Sequence, residues 1–393
     1  MSNALTHDGN ERVWMPHRVR RIETDRYVDT PAEFQVPTRG WNRVVGMPYL
    51  IYMPEKDRVL MLVYLDYRPC KAAIMISDDH GTTWSEPKLV PQEKEEMCLG
   101  TNLMYLGGGK VMFCDERNRW FSDDYGESWS EKMPVQPDVT GRPWAGWQWE
   151  PGLVDRDETG KVIRIAETAY SHNGGEYPNP GYFSQAYWRF SYDEGKTWEP
   201  DIAVPEWKHF NEVALCRAAN GTIVASCRTD INQWYRDPAH RPDGLHEPDL
   251  YSGFGISLSI DNGKTWSQVN GLFEYGRHFS SMVVMPNHDI VMTYVVRIGY
   301  PYNVDGFVQY GIEAIVSRDH GVTWDLEHRL ILDEWTGNLR GHNAWWSSPQ
   351  STSSVLLPDG SILTAYGRAA DCLPTADGQI GPPRDIGLMR WKP

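Results

Sequence analysis

Ser77-Asp78-Asp79-His80-Gly81-Thr82-Thr83-Trp84 is the first of five copies of one eight-residue signature, Ser-x-Asp-x-Gly-x-(Thr/Ser)-Trp. The others run from Ser122 to Trp129, Ser191 to Trp198, Ser259 to Trp266 and Ser317 to Trp324. Successive starts lie 45, 69, 68 and 58 residues apart. That spacing is too long for a helical-solenoid unit and suits a four-stranded propeller blade with its loops. In the signature, Ser and Asp side chains can bond backbone amides of a tight turn, Gly supplies a positive φ, and Trp packs beneath. The five copies therefore read as structural, and carboxylates such as Asp78-Asp79 and Asp123-Asp124 read as turn-bonding or solvated in preference to metal-binding.

Working upstream from each signature, a strand, a tight turn, a second strand, a loop of variable length and a third strand follow one another, which is a meander. The first turns fall at Glu55-Lys56-Asp57, Gly107-Gly108-Gly109, Thr159-Gly160, Asn220-Gly221, Asn287-His288-Asp289 and Asp359-Gly360, six turns against five signatures. The sixth unit ends with the chain before an outer strand. The expectation is an all-β fold, a six-bladed β-propeller of four-stranded antiparallel blades forming one domain over residues 1–393. Its last blade would be closed by the N-terminal segment 1–40, with Val19 to Ile22 as the outer strand that removes an unpaired edge.

Composition sets the function class. Aromatic residues make up 12% of the 393 residues, with 18 Trp and 20 Tyr, suiting a β-rich protein that offers ring faces to a carbohydrate. A formal charge of -15 argues against nucleic acid or an anionic membrane as partner, since either needs a basic surface. No run approaches 18 consecutive apolar residues and Met1 to Asn10 lacks the basic and apolar segments of a signal peptide, so a cytoplasmic location is expected. The six Cys are scattered without metal-ligand spacing. Reduced thiols are the default, with Cys216 and Cys227 as possible cross-strand neighbours, and neither cofactor nor metal is expected.

Strands of a meander run alternately up and down, so the start of strand one, the end of strand two and the variable loops share one face. Alignment on the first turns places an Arg seven or eight residues after each in four blades: Arg117, Arg228, Arg297 and Arg368. The third blade has Glu167 there, and the first has Asp66 with Arg68 slightly further on. Planar two-pronged donors suit a carboxylate ligand, or else each Arg pairs with a neighbouring acid and ties strands together. Starts of first strands add Glu150, Glu212, His278 and the run Gly341 to Trp346, in which His342 beside Trp345 and Trp346 suits a sugar subsite.

The five signatures, known as Asp-boxes, together with the six-blade count resemble the sialidase (neuraminidase) superfamily over nearly the whole chain. The segment Asn211-Glu212-Val213 through Asn220-Gly221-Thr222 to Ser226-Cys227-Arg228 is similar to the sialidase stretch whose Glu polarises a Tyr nucleophile and whose Arg is one of three clamping a carboxylate. The resemblance thus gives Glu212 and Arg228 those roles and brings Asp66 near the place of the family's acid/base. The chain departs from the pattern elsewhere. Gly46-Met47-Pro48 stands where an Arg-Ile-Pro would open the first blade, leaving Arg43 and Arg68 as substitutes. Phe307 to Ile315 has no Arg, leaving Arg297 or Arg340, and Ser351 stands at the Tyr position before Pro358-Asp359-Gly360.

The leading expectation is a sialidase-like, exo-acting glycoside hydrolase on an acidic, carboxylate-bearing sugar, other than a standard sialidase. Arg228, Arg117, Arg297 and Arg368 would hold the anionic group, and two of Glu212, Asp66 and Glu150 would divide the acid and base roles. A uronate lyase using His342, His278 or Tyr251 as base is a second reading, and a non-catalytic carbohydrate-binding propeller a third.

Overall fold

Apolar runs cut by Gly, Asp and Asn turns fold into antiparallel meanders throughout the chain. The computed structural model describes residues 12–66, 70–91, 99–115, 117–130, 132–137, 150–173, 181–241, 248–298, 309–336, 348–369 and 384–393. After the hairpin β1 (Met15–Ile22) and β2 (Tyr27–Gln35), four separate four-stranded sheets form in chain order. They are β3 (Val45–Met53), β4 (Arg58–Leu65), β5 (Lys71–Ser77) and β6 (Lys88–Leu89), then β7 (Thr101–Gly107), β8 (Lys110–Cys114), β9 (Asn118–Ser122) and β10 (Met133–Pro134). The third is β11 (Leu153–Arg156), β12 (Val162–Asn173), β13 (Phe183–Ser191) and β14 (Ile202–Lys208), and the fourth β15 (Phe210–Arg217), β16 (Ile223–Thr229), β17 (Phe254–Ser259) and β18 (Asn270–Phe273).

A nine-stranded sheet takes up the rest. It joins β19 (Arg277–Val284), β20 (Ile290–Val296), β21 (Gln309–Ser317) and β22 (Leu330–Thr336), through β1 and β2, to β23 (Thr352–Leu356), β24 (Ile362–Arg368) and β25 (Asp385–Trp391), in the order β19-β20-β21-β22-β1-β2-β25-β24-β23. First strands touch in succession, β3 with β7, β7 with β11, β11 with β15, β15 with β19, β19 with β23, and β23 returns to β3. The fold is all-β and propeller-like, with four-stranded antiparallel blades. The second strand β4, flanked on both edges, is buried along its whole length.

The sequence places Val19 to Ile22 as the outer strand of the last blade, and the structure corrects this. It is β2 that pairs with β25, Phe34 opposite Met389, while β1 lies one strand further out and pairs Arg20 with Ile331 on β22. A hairpin covers two open edges at once, those of β25 and β22, where a single strand would leave one unpaired.

The signature turns are built as their residues dictate. In the third copy, the Ser191 Oγ accepts from Gly195 N at 2.8 Å, and Asp193 accepts from Thr197 N at 2.8 Å and from Thr197 Oγ1 at 2.6 Å. The Trp198 Nε1 then donates to Gly195 O at 3.0 Å. Besides the Gly, the residue before it takes a left-handed conformation in all five copies: His80, Tyr125, Glu194, Asn262 and His320. Cys216 and Cys227 are free and buried; their register partners are Val224 and Val213, so the two thiols do not face each other across the hairpin. Among the described residues no helix is long and apolar enough to cross a membrane.

Candidate functional site

One irregularity recurs at the head of the first strands. The ladder slips between Asn211 and Val213, leaving Glu212 at φ 40°, and comparable slips surround Met47, Asn102 and Phe279, at φ 46°, 53° and 50°. Gln350, just before β23, has φ 62°. None of these is Gly, so each holds a costly backbone shape, and a bulge there turns a side chain out of the ladder. In the fourth sheet that side chain is the Glu212 carboxylate.

Glu212 begins a chain of charges. The Arg228 Nη1 donates to Glu212 Oε1 at 2.6 Å, and its Nη2 reaches Asp249 Oδ1 and Ser252 Oγ, the latter at 3.1 Å. The other Asp249 oxygen accepts from Arg297 Nη1. Asp249 thus sits between two guanidiniums, which hold its carboxyl well below the usual carboxylate range against the opposing effect of burial. It comes from a 3-10 turn, Pro248–Tyr251, inside the long excursion between β16 and β17.

Behind this chain lie three buried titratable groups. Glu150 is 1% exposed and neither carboxyl oxygen has a hydrogen-bond partner among the described residues. Burial first, and then the neighbouring Glu212 charge, push its pKa well up, with Arg228 acting the other way. His278, fully buried, has its Nδ1 3.6 Å from Glu212 Oε2, and burial followed by Arg297 and Arg228 lowers its pKa well below the normal value. The Tyr49 phenol is pushed up by burial and then by the charges of Glu150 and Glu212.

In front of the chain a cavity of ≈ 270 Å³ opens, lined by Arg228, Asp249, Tyr170, His172, Tyr182 and Asp230, among others. The Tyr182 hydroxyl and His172 Nδ1 are hydrogen-bonded at 2.6 Å, and burial lowers the pKa of His172. Asp230 accepts from Asn211 Nδ2 at 3.1 Å and Ser184 N at 2.8 Å. A larger cavity of ≈ 830 Å³ opens among Asn287, His328 and Gly360, residues of the turn side of the blades, where charges pair locally as in Arg318–Asp325 at 3.1 Å. No group of three His, Cys, Asp or Glu among the described residues is placed to hold a metal ion.

Five of the residues singled out from sequence converge here: Glu212, Glu150, Arg228, Arg297 and His278. Others do not. Asp66 is exposed and ion-paired with Arg43, Oδ2 to Nη2 at 2.7 Å. Arg117 is exposed in the turn between β8 and β9. Arg368 donates from Nε to Asp333 Oδ2 at 3.1 Å, an acid that also accepts from the Tyr366 hydroxyl, so this member of the arginine set ties strands together. Glu167, at the arginine place of the third blade, is fully buried between Arg119 at 2.6 Å and Arg189 at 2.7 Å and is likewise structural. Tyr251 is buried and stacked on Tyr235, 4.9 Å between centroids. His342, Arg68, Trp345 and Trp346 lie outside the described residues, as does Arg340.

The sequence reading missed Asp249, Tyr49, His172, Tyr182 and Asp230. Asp249 lies in an insertion outside the blade register, and Tyr49 reads as one more apolar residue of a buried strand. For the His172–Tyr182 pair a signal existed, since both flank the variable connection between the second and third strands of the third sheet, β12 and β13.

Residues 75–86, the first signature with its flanks, match the family described as BNR/Asp-box repeat. No curated protein sequence matches the chain. Among solved structures, a protein of unknown function from Dyadobacter fermentans DSM 18053 superposes with a TM-score of 0.61 at 16% identity, over 95% of this chain and 99% of that one. The Hadza microbial sialidase Hz136 does so with a TM-score of 0.57 at 13% identity, over 94% of this chain and 70% of that one. The chain thus carries an Asp-box repeat match on an all-β, propeller-like fold that it shares with these two structures.

Proposed function

We propose that the protein is a six-bladed, single-domain propeller enzyme, a sialidase-like glycoside hydrolase acting from the end of its carbohydrate substrate, with Glu150 as general acid and Glu212 as the partner carboxylate. One feature carries the reading: two carboxyls stand in unlike surroundings, Glu150 buried with no hydrogen-bond partner among the described residues and Glu212 paired with Arg228. Burial and then the Glu212 charge favour the protonated form of Glu150, while the Arg228 guanidinium donates to Glu212 at 2.6 Å. Cleavage of a glycosidic bond needs one acid to protonate the leaving oxygen and one carboxylate to act as base or nucleophile.

An acidic substituent on the sugar was expected from the arginines, and here the geometry sets a condition. Arg228 and Arg297 share Asp249, so an incoming carboxylate would have to displace it.

The test is turnover on a panel of sialosides, uronides and neutral aryl glycosides. Glu150→Gln and Glu212→Gln are each expected to lower kcat by roughly 10²–10⁴-fold on the sugar that wild type cleaves, with unchanged folding by circular dichroism. Wild-type turnover in either variant sinks the assignment of that residue. A second reading, a lyase, is favoured by the 2.6 Å Tyr182–His172 hydrogen bond in the same cavity as Arg228, a base poised beside a carboxylate neutraliser. It would show as an ultraviolet-absorbing product lost in Tyr182→Phe.

A further inference from the structure

The seat between Arg228 and Arg297 is occupied by a group of the protein itself. Arg228 uses one terminal nitrogen for Glu212 and the other for Asp249 and Ser252, while Arg297 gives a terminal nitrogen to the second oxygen of Asp249. Both terminal nitrogens of Arg228, and one of Arg297, are thus turned onto internal acids. Both arginine side chains are nearly covered, 11% and 7% exposed, whereas Asp249 is 39% exposed and lines the cavity. Of the three side chains, Asp249 is the most exposed to that cavity.

Charge points the same way. Among the described residues, two guanidiniums face two carboxylates, Glu212 and Asp249. Glu150 and His278 are both shifted toward their neutral forms, and Asp230, on the cavity wall, adds a further acid. A carboxylated sugar at this position would bring an unbalanced negative charge into a covered site, where it costs most. Hydroxyl groups carry no such penalty, and they can donate to Asp249 and Asp230 and accept from Tyr182.

We infer that Asp249 fills the seat between Arg228 and Arg297 with the protein's own carboxylate, so that the cavity accepts a neutral, polyhydroxylated sugar ring and rejects a carboxylated one. The inference rests on the reading of this cavity as a carbohydrate site. It makes Asp249, which the blade frame does not reveal, the residue that sets substrate class.

The experiment measures equilibrium binding of unreacted monosaccharides, and so is independent of whether Glu150 and Glu212 hydrolyse anything. Wild type, Asp249→Ala and Asp249→Asn are titrated with glucuronate, N-acetylneuraminate and glucose by ligand-observed NMR. Removal of the carboxylate is expected to expose both guanidiniums, and the two acidic sugars should bind either variant at least about tenfold more tightly than wild type, the scale of one charge-assisted pair. Arg297→Ala placed on top of Asp249→Ala should abolish the gain. Wild type binding an acidic sugar as tightly as the variants overturns the inference, as does a folded variant that gains nothing. Should the alanine variant misfold, the near-isosteric asparagine variant carries the test.

Discussion

Glu150 is held where ionising would place a second negative charge beside Glu212 in a covered pocket, so its proton is retained over a wider pH range than that of a free carboxyl. The sign of the stability effect follows. A group whose pKa is raised by folding contributes stability that is present below its unfolded value, about 4.3, and lost as pH rises through the folded value. Glu150→Gln cannot ionise and escapes that loss. Denaturant titrations over a pH series should show the variant gaining on wild type as pH rises, whatever its activity; a constant difference would mean that Glu150 ionises freely in the fold. Other buried charges have a different office. Glu167 holds Arg119 and Arg189 together, with the Arg119 guanidinium 4.3 Å from the Trp198 ring, and so joins the second blade to the third.

At the scale of elements, the signature turn is one device used five times, but its surroundings differ. A Cβ at Gly263, which has φ 88°, would lie 1.6 Å from the Trp188 ring, whereas a Cβ at Gly160, with φ 84° in a first turn, meets nothing within 4 Å. Gly160→Ala is therefore a conformational cost alone, about 1–2 kcal/mol. Gly263→Ala adds the displacement of an indole packed edge-on against Trp266 at 5.1 Å and should cost roughly 3–5 kcal/mol. Urea denaturation of the two variants measures both, and equal losses would show that the indole yields freely. The bulges on the first strands are the complementary device. They spend backbone strain at the ligand end of the blade while the signature turns lock the opposite end, so rigidity and strain are separated along each meander.

For the whole molecule, ring closure depends on the N-terminal hairpin, which joins β22 to β25 through β1 and β2. Deletion of residues 1–26 removes β1 and its Arg20–Glu334 ion pair but keeps β2 on β25, with Phe34 in the core. Deletion of residues 1–36 removes both and bares the edge of β25. The shorter deletion is expected to fold with a lowered melting temperature and the longer one to aggregate, because an unpaired apolar edge recruits other chains. Size-exclusion chromatography and thermal melts separate the two, and a monomeric, cooperative longer deletion would show that the blade closes without β2. The repeated signature, its spacing and the turn residues determined by themselves the all-β class, the meander order and the end of the blades at which Glu212, Arg228 and Arg297 meet. These are local or periodic properties, since turn chemistry and strand alternation act within a few residues of chain. Only the tertiary structure decided which strand of the hairpin meets β25, that Arg368 and Glu167 tie strands together while Arg228 and Arg297 gather at a cavity, and that Asp249 lies between those two. Each depends on the partner that long-range packing brings to a charge, and two identical side chains at equivalent blade positions acquire different roles when a loop outside the repeat delivers a carboxylate to one and not to the other.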